Sequence, residues 1–164
     1  MEILKDMTQL LSGKKVLILV SNGVDEAAMS VVQRDLLKAG ASIKTVGTEP
    51  GLVNSWNNNA WGLYFPVDIQ ISMALGSDFD LLVVPSGTRS VQKLAANPHV
   101  ERILTSFIAA KKPACLMGEA VELLTKLDYS QSPVMTGDAA GDMQAFVQKM
   151  IAHFAGEEPL PIAA

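Results

Sequence analysis

Six polar residues able to do chemistry fall in three short stretches, each directly after an apolar run. Asp25 and Glu26 follow residues 16–20, and Ser86, Thr88 and Arg89 follow the run ending at Val84. Glu119 follows the run Ala114–Met117. If the three runs are parallel neighbours, these side chains meet beyond the carboxyl ends of the strands, where open α/β sheets hold their ligands. The loops 21–26, 85–90 and 117–120 would then build the site. A carboxylate partly buried there could have a raised pKa and act as a general acid or base. Glu119 is the candidate for that role, with Asp25 or Glu26 assisting. Glu119 can equally be read as a carboxylate at a helix N-terminus, hydrogen-bonded to backbone amides.

Other chemistries have less to stand on. No G-x-G-x-x-G follows the first apolar run and no Walker sequence occurs, and Asp25-Glu26 at a helix start would repel phosphate. A phosphorylatable aspartate ending a central strand is missing, because Pro85-Ser86-Gly87 stands there. Ser86 lies in P-S-G and not in G-x-S-x-G, which gives a hydrolase triad little support. Cys115 is the one cysteine, within a strand, so it reads as structural; reactivity would need exposure and a positive neighbour. His99 and His153 are expected to face solvent and are too few for a metal site. Neither a metal nor a cofactor is expected.

The elements that must position these residues follow from hydrophobic periodicity. The pivotal stretch is KKPACLMGEAVELL: four apolar residues bounded by Pro113 and Gly118, then a helix from Glu119 that turns Val121, Leu123 and Leu124 inward. Short continuous apolar runs of this kind suit parallel strands covered on both faces. The same holds for 16–20 and 79–84, with 42–46 more polar and nearer an edge. Strand 16–20, a helix over 25–39 and strand 42–46 make one βαβ unit. Residues 53–65 carry both tryptophans around Asn57-Asn58-Asn59 and predict a hairpin on the sheet edge, either covering that edge or facing a partner. Residues 69–75 predict a short helix. Asn97 and Pro98 predict an N-cap and first turn, and 134–135 a short strand. Met143, Phe146, Val147, Met150, Ile151 and Phe154 trace a last helix.

The chain of 164 residues is 49% hydrophobic and 18% charged, the profile of a packed α/β protein. One domain over 1–164 is expected, with a helical extension at 1–13 and a frayed tail at 157–164. A net charge of −4 argues against nucleic acid as a partner. No apolar run approaches the ~20 residues of a membrane span, and no secretory signal pattern opens the sequence, so a cytoplasmic location is expected. A mean hydropathy of +0.25 and a tryptophan-bearing hairpin predict a homodimer or larger cyclic assembly.

The ordered segments VLILVSNGVDEAAM, FDLLVVPSGTRSVQKL, NPHVERIL and KKPACLMGEAVELL resemble the ThiJ/PfpI superfamily, relatives of class I glutamine amidotransferases. The likeness is greatest to the C-terminal domain of large-subunit catalases and extends through residues 134–153. It implies a flavodoxin-like α/β/α sandwich with a mostly parallel sheet of at least five strands. Active members carry a cysteine at the strand-to-helix elbow, commonly a histidine after it, and a supporting glutamate on the first helix. Those positions match Gly118, Glu119 and Ala28 here, while Gly87 matches a glycine that helps form the family's oxyanion site. The resemblance therefore implies a vestigial pocket of Asp25, Glu26, Ala28, Ser86, Gly87, Gly118 and Glu119. Two readings stay open: a non-catalytic module for assembly or small-molecule binding, and an enzyme using Glu119 as acid or base.

Overall fold

The structure, a computed structural model, describes residues 10–137 and 141–156. In chain order it contains β1 (Lys15–Val20), α1 (Glu26–Lys38), β2 (Ser42–Gly47), β3 (Leu52–Asn57), β4 (Ala60–Pro66) and β5 (Ile69–Gln70). There follow β6 (Leu81–Val84), α2 (Thr88–Ala95), α3 (Pro98–Ala109), β7 (Ala114–Met117), β8 (Val134–Gly137) and α4 (Met143–Phe154). Six strands form one sheet in the order β5-β2-β1-β6-β7-β8, and every pairing in it is parallel.

β1 lies inside this sheet, which is why its apolar residues show no alternation. Val16, Ile18 and Val20 pack with α1 and α4 on one face, and Leu17 and Leu19 with α2 and α3 on the other. All five are completely buried. β7 is likewise flanked on both sides, by β6 and β8. The result is the flavodoxin-like three-layer sandwich that the apolar runs require. The last helix buries Phe146, Val147, Met150, Ile151 and Phe154, the stripe its periodicity marks. At α3, the Asn97 side chain accepts from the His99 N–H at 2.9 Å, as an N-cap should.

Several expectations need correction. Residues 69–75 are not a helix: Ile69 and Gln70 form β5 alongside β2, and a single 3₁₀ turn follows at Ile71–Met73. The strand expected over 79–84 begins at Leu81, and a helix the periodicity did not reveal, α2, follows it. The helix expected after Gly118 is a 3₁₀ helix, Gly118–Leu124, which buries Ala120 and Leu124 and leaves Val121 exposed. The tighter 3₁₀ winding, three residues per turn, changes which side chains share a face. His99 and His153 are half-buried rather than solvent-facing, and the ring Nε2 of His153 lies 3.0 Å from the Pro133 carbonyl. The helical extension expected at 1–13 falls mostly on residues outside those described, and residues 10–13 form a turn. The tail at 157–164 also lies outside the described residues.

The hairpin is correct in kind and misplaced. β3 and β4 pair antiparallel around Asn58 and Asn59, at φ 51° and 66°, values asparagine tolerates better than most residues. They do not extend the sheet edge. The pair instead lies against the loop after β1: Gly23 N–H donates to Asn54 C=O and Trp56 N–H to Val24 C=O, both at 2.8 Å.

Candidate functional site

The parallel order of β1, β6 and β7 brings loops 21–26, 85–90 and 117–120 together, as the topology demands. The Asp25 N–H donates to the Ser86 carbonyl at 3.0 Å, and the Ser86 hydroxyl donates to Asp25 Oδ2 at 2.8 Å. Across the site, the Gly87 N–H donates to Glu119 Oε1 at 3.1 Å and the Thr88 hydroxyl to Oε2 at 2.9 Å. Asp25 with Ser86, and Glu119 with Gly87 and Thr88, thus form two hydrogen-bonded sets joined through the chain from Ser86 to Gly87.

Two glycines permit the approach. Gly87 has φ +140°, and a Cβ there would stand 2.8 Å from Asp25 N, Gly23 O and Val24 Cα. Gly118 has φ +56°, the strained turn expected at the end of β7, and a Cβ there would stand 3.0 Å from Ser86 Cβ. Ser86 therefore already fills part of the space in front of the elbow.

The two carboxylates are tuned in opposite directions. Burial pushes the Asp25 pKa up, against the Ser86 hydrogen bond and with help from the nearby charge of Glu119. Burial also works to raise Glu119, but hydrogen bonds from its own amide, the Gly87 amide and the Thr88 hydroxyl outweigh it and hold the carboxyl below its ordinary value.

Three expected residues go elsewhere. Glu26 turns to the hairpin: Oε1 accepts from Leu63 N–H at 2.8 Å and Ser55 Oγ at 3.2 Å, and Oε2 from Asn57 Nδ2 at 3.2 Å. Arg89 stacks its guanidinium over the Trp56 ring at 3.9 Å, the cation–π geometry. Ala28 is fully buried in the apolar cluster of α1 and α4. Cys115 is also fully buried, and desolvation pushes its thiol up to about 12. Sequence reasoning missed Ser55, Asn57 and Trp56 as neighbours of the site. Their contacts span about thirty residues of chain, and no local pattern announces them.

Among the described residues, no group of three or more His, Cys, Asp or Glu is placed to hold a metal ion. None of the described helices is long and apolar enough to cross a membrane. Cavities of about 370 Å³ beside the α2–α3 junction and about 580 Å³ at the amino ends of β1 and β2 are not lined by Asp25, Ser86, Gly118 or Glu119.

No curated protein sequence matches the chain. Solved structures do. Drosophila melanogaster DJ-1beta superposes with a TM-score of 0.74 at 18% identity, over 87% of this chain and 91% of that one. Oxidized Toxoplasma gondii DJ-1 gives 0.72 at 16% identity, over 88% and 92%. A two-domain protein from Anabaena variabilis, with DJ-1/ThiJ/PfpI-like and ferritin-like domains, gives 0.74 at 18% identity, over 89% and 50%. At such identities these likenesses establish the shared fold. A family model for the DJ-1/PfpI family matches residues 14–158, nearly the whole sandwich and all three loops of the site, and the chain therefore belongs to the DJ-1/PfpI family.

Proposed function

We propose that this chain is a DJ-1/PfpI module that works by binding, through assembly and a small-molecule site, and not by the family's thiol chemistry. The observation that carries this reading is the residue at the elbow. At the end of β7 the positive-φ position is Gly118, which offers no nucleophile. The chain's one thiol lies three residues back, inside the sheet, with its pKa pushed up to about 12. A thiol so placed stays protonated and inaccessible at neutral pH. Ala28, where the resemblance places the supporting glutamate, has no carboxylate to give. The resemblance to the catalase C-terminal domain, itself an appendage to an enzyme, supports the same reading.

The alternative, an enzyme using Glu119, loses support from the geometry. A general acid must hold a proton near neutral pH, whereas Glu119 is held ionised by three donors. Those donors also take three of the roughly four lone-pair positions a general base would use.

The test is an assay of methylglyoxal, small amides and peptides with the wild type, Cys115→Ser and Glu119→Gln. All three are expected to be inert, and Cys115 should resist a thiol reagent until the protein is unfolded. Turnover abolished by Cys115→Ser would overturn the reading, and turnover lost only in Glu119→Gln would shift it to a carboxylate enzyme.

Assembly has its own support. Leu52, Trp61, Leu63 and Tyr64 on the hairpin are all more than half exposed, a density of large apolar groups that favours a self-association surface. Light scattering is expected to give at least twice the 17.5 kDa of one chain. Trp61→Lys should shift that mass toward the monomer. A monomeric wild type at micromolar concentration would refute the assembly half of the proposal.

A further inference from the structure

The Glu119 carboxylate already holds donors that this site offers. Its carboxylate takes the Gly87 N–H at 3.1 Å and the Thr88 hydroxyl at 2.9 Å, and its own backbone N–H also donates to it. Gly87 and the residue after the elbow are the two backbone donors that flank Gly118. A carbonyl or carboxylate oxygen arriving from outside would need those donors. We propose that Glu119 makes an autoinhibitory contact: it is a tethered anion that fills the oxyanion position from within and closes this site to small carboxylates and other oxyanions. This deepens the binding-module reading, from which the location of the site is taken, and assigns its wild-type ligands to neutral or cationic molecules.

The physics favours the tethered group. An intramolecular carboxylate competes at an effective concentration of roughly millimolar or more, without the entropy loss of a free ligand. Asp25 adds a second carboxylate next to the same space through its bond to Ser86, so an extra anion would be repelled as well as displaced. Removing the Glu119 carboxylate takes away the competitor and one of the two negative charges, leaving Asp25 in place. It leaves the part-buried Gly87 N–H without its acceptor, which costs stability, while the exposed Thr88 hydroxyl turns to water. Formate, a carboxylate with no side chain, can replace what was removed.

The experiment compares wild type and Glu119→Ala by melting temperature in sodium formate, with sodium chloride at equal ionic strength as the reference. A parallel amide NMR titration follows Gly87 and Thr88. Glu119→Ala is expected to melt below wild type and to gain roughly 3–5 °C at about ten-fold excess of formate over its Kd, with the Gly87 amide shifting. Wild type should gain less than about 1 °C over chloride. An equal gain in wild type would overturn the proposal by showing an open site. A folded Glu119→Ala with no Gly87 response would overturn it by showing no site. If that variant does not fold in chloride, its refolding yield decides: recovery in formate supports the contact, and equal failure in both salts refutes it. Thiol-dependent turnover would sink the module reading but leave these readouts untouched, because none involves catalysis.

Discussion

Gly87→Ala is expected to destabilise the protein by about 3–5 kcal/mol. Two costs combine. A side chain at φ +140° is strained, on the order of 1–3 kcal/mol. The new Cβ would also stand 2.8 Å from Asp25 N, Gly23 O and Val24 Cα, and overpacking of that kind costs roughly 1–3 kcal/mol. All three neighbours are backbone atoms, so no rotamer change relieves the clash. Moving the 23–25 segment away would stretch the Asp25–Ser86 backbone bond and the hairpin pairings of Gly23 and Trp56. Against a typical domain stability of about 5–15 kcal/mol, the loss is a large fraction, and a melting temperature lower by roughly 10 °C follows from it. Thermal or urea unfolding measures this directly. A loss below about 1 kcal/mol would mean that the loop after β1 can yield, and that the network it supports is looser than its hydrogen bonds imply.

The parts of the fold that were legible are those where one principle dominates locally. Residues 16–20 and Ala114–Met117 are apolar on every residue, and only strands covered on both faces want that pattern. α4 and the Asn97 cap carry their own signals in spacing and residue type. The convergence of the three loops followed from parallel order alone. α2 has no sequence signal because it is short and shows only Val91 and Leu94 as apolar contacts, with Ser90 buried beside them. Ser90 tolerates burial because its hydroxyl accepts from the Ser21 N–H at 2.9 Å, a partner 69 residues away. β5 carries no strand signal because two residues cannot display a period; pairing with β2 decides their conformation. At the site, the sequence allows Glu119 two descriptions, an amide-bonded carboxylate or an acid. The first description is nearer, but one of the amides belongs to Gly87, on another loop. Sequence adjacency to Asp25 suggests that Glu26 joins the pocket, yet neighbouring positions at a helix start point in different directions, and Glu26 bonds the hairpin instead.

A thiol placed at the elbow is expected to stay unreactive, because Ser86 crowds the space around Gly118, and Asp25 and Glu119 charge it. Consider Gly118→Cys in a Cys115→Ser background, so that the introduced thiol is the only one. At φ +56° a side chain costs roughly 1–2 kcal/mol, and its Cβ would meet Ser86 Cβ at 3.0 Å, tighter than ordinary contact. Asp25 and Glu119 line the same space, and carboxylates near a thiol disfavour the thiolate. The thiol pKa is therefore expected at or above the ordinary ~8.5 and not in the depressed range of reactive cysteines. Each unit of increase removes about nine-tenths of the thiolate at neutral pH. Adding Ala28→Glu would compound the cost, since Ala28 is completely buried among apolar side chains of α1 and α4, and an unpaired carboxylate there is strongly disfavoured. Adding Ser86→Gly instead should help, by clearing the contact and removing the hydroxyl bound to Asp25. The expected order of thiol reactivity, followed against pH with a chromogenic disulfide, puts Gly118→Cys with Ser86→Gly above Gly118→Cys alone. Gly118→Cys with Ala28→Glu should be no better than the single change, and less stable. None of the three should turn over methylglyoxal. A Gly118→Cys protein with a thiol pKa well below 8 and measurable turnover would show that the loops still encode the family's catalytic environment, and would return this chain to the enzymes with one residue missing.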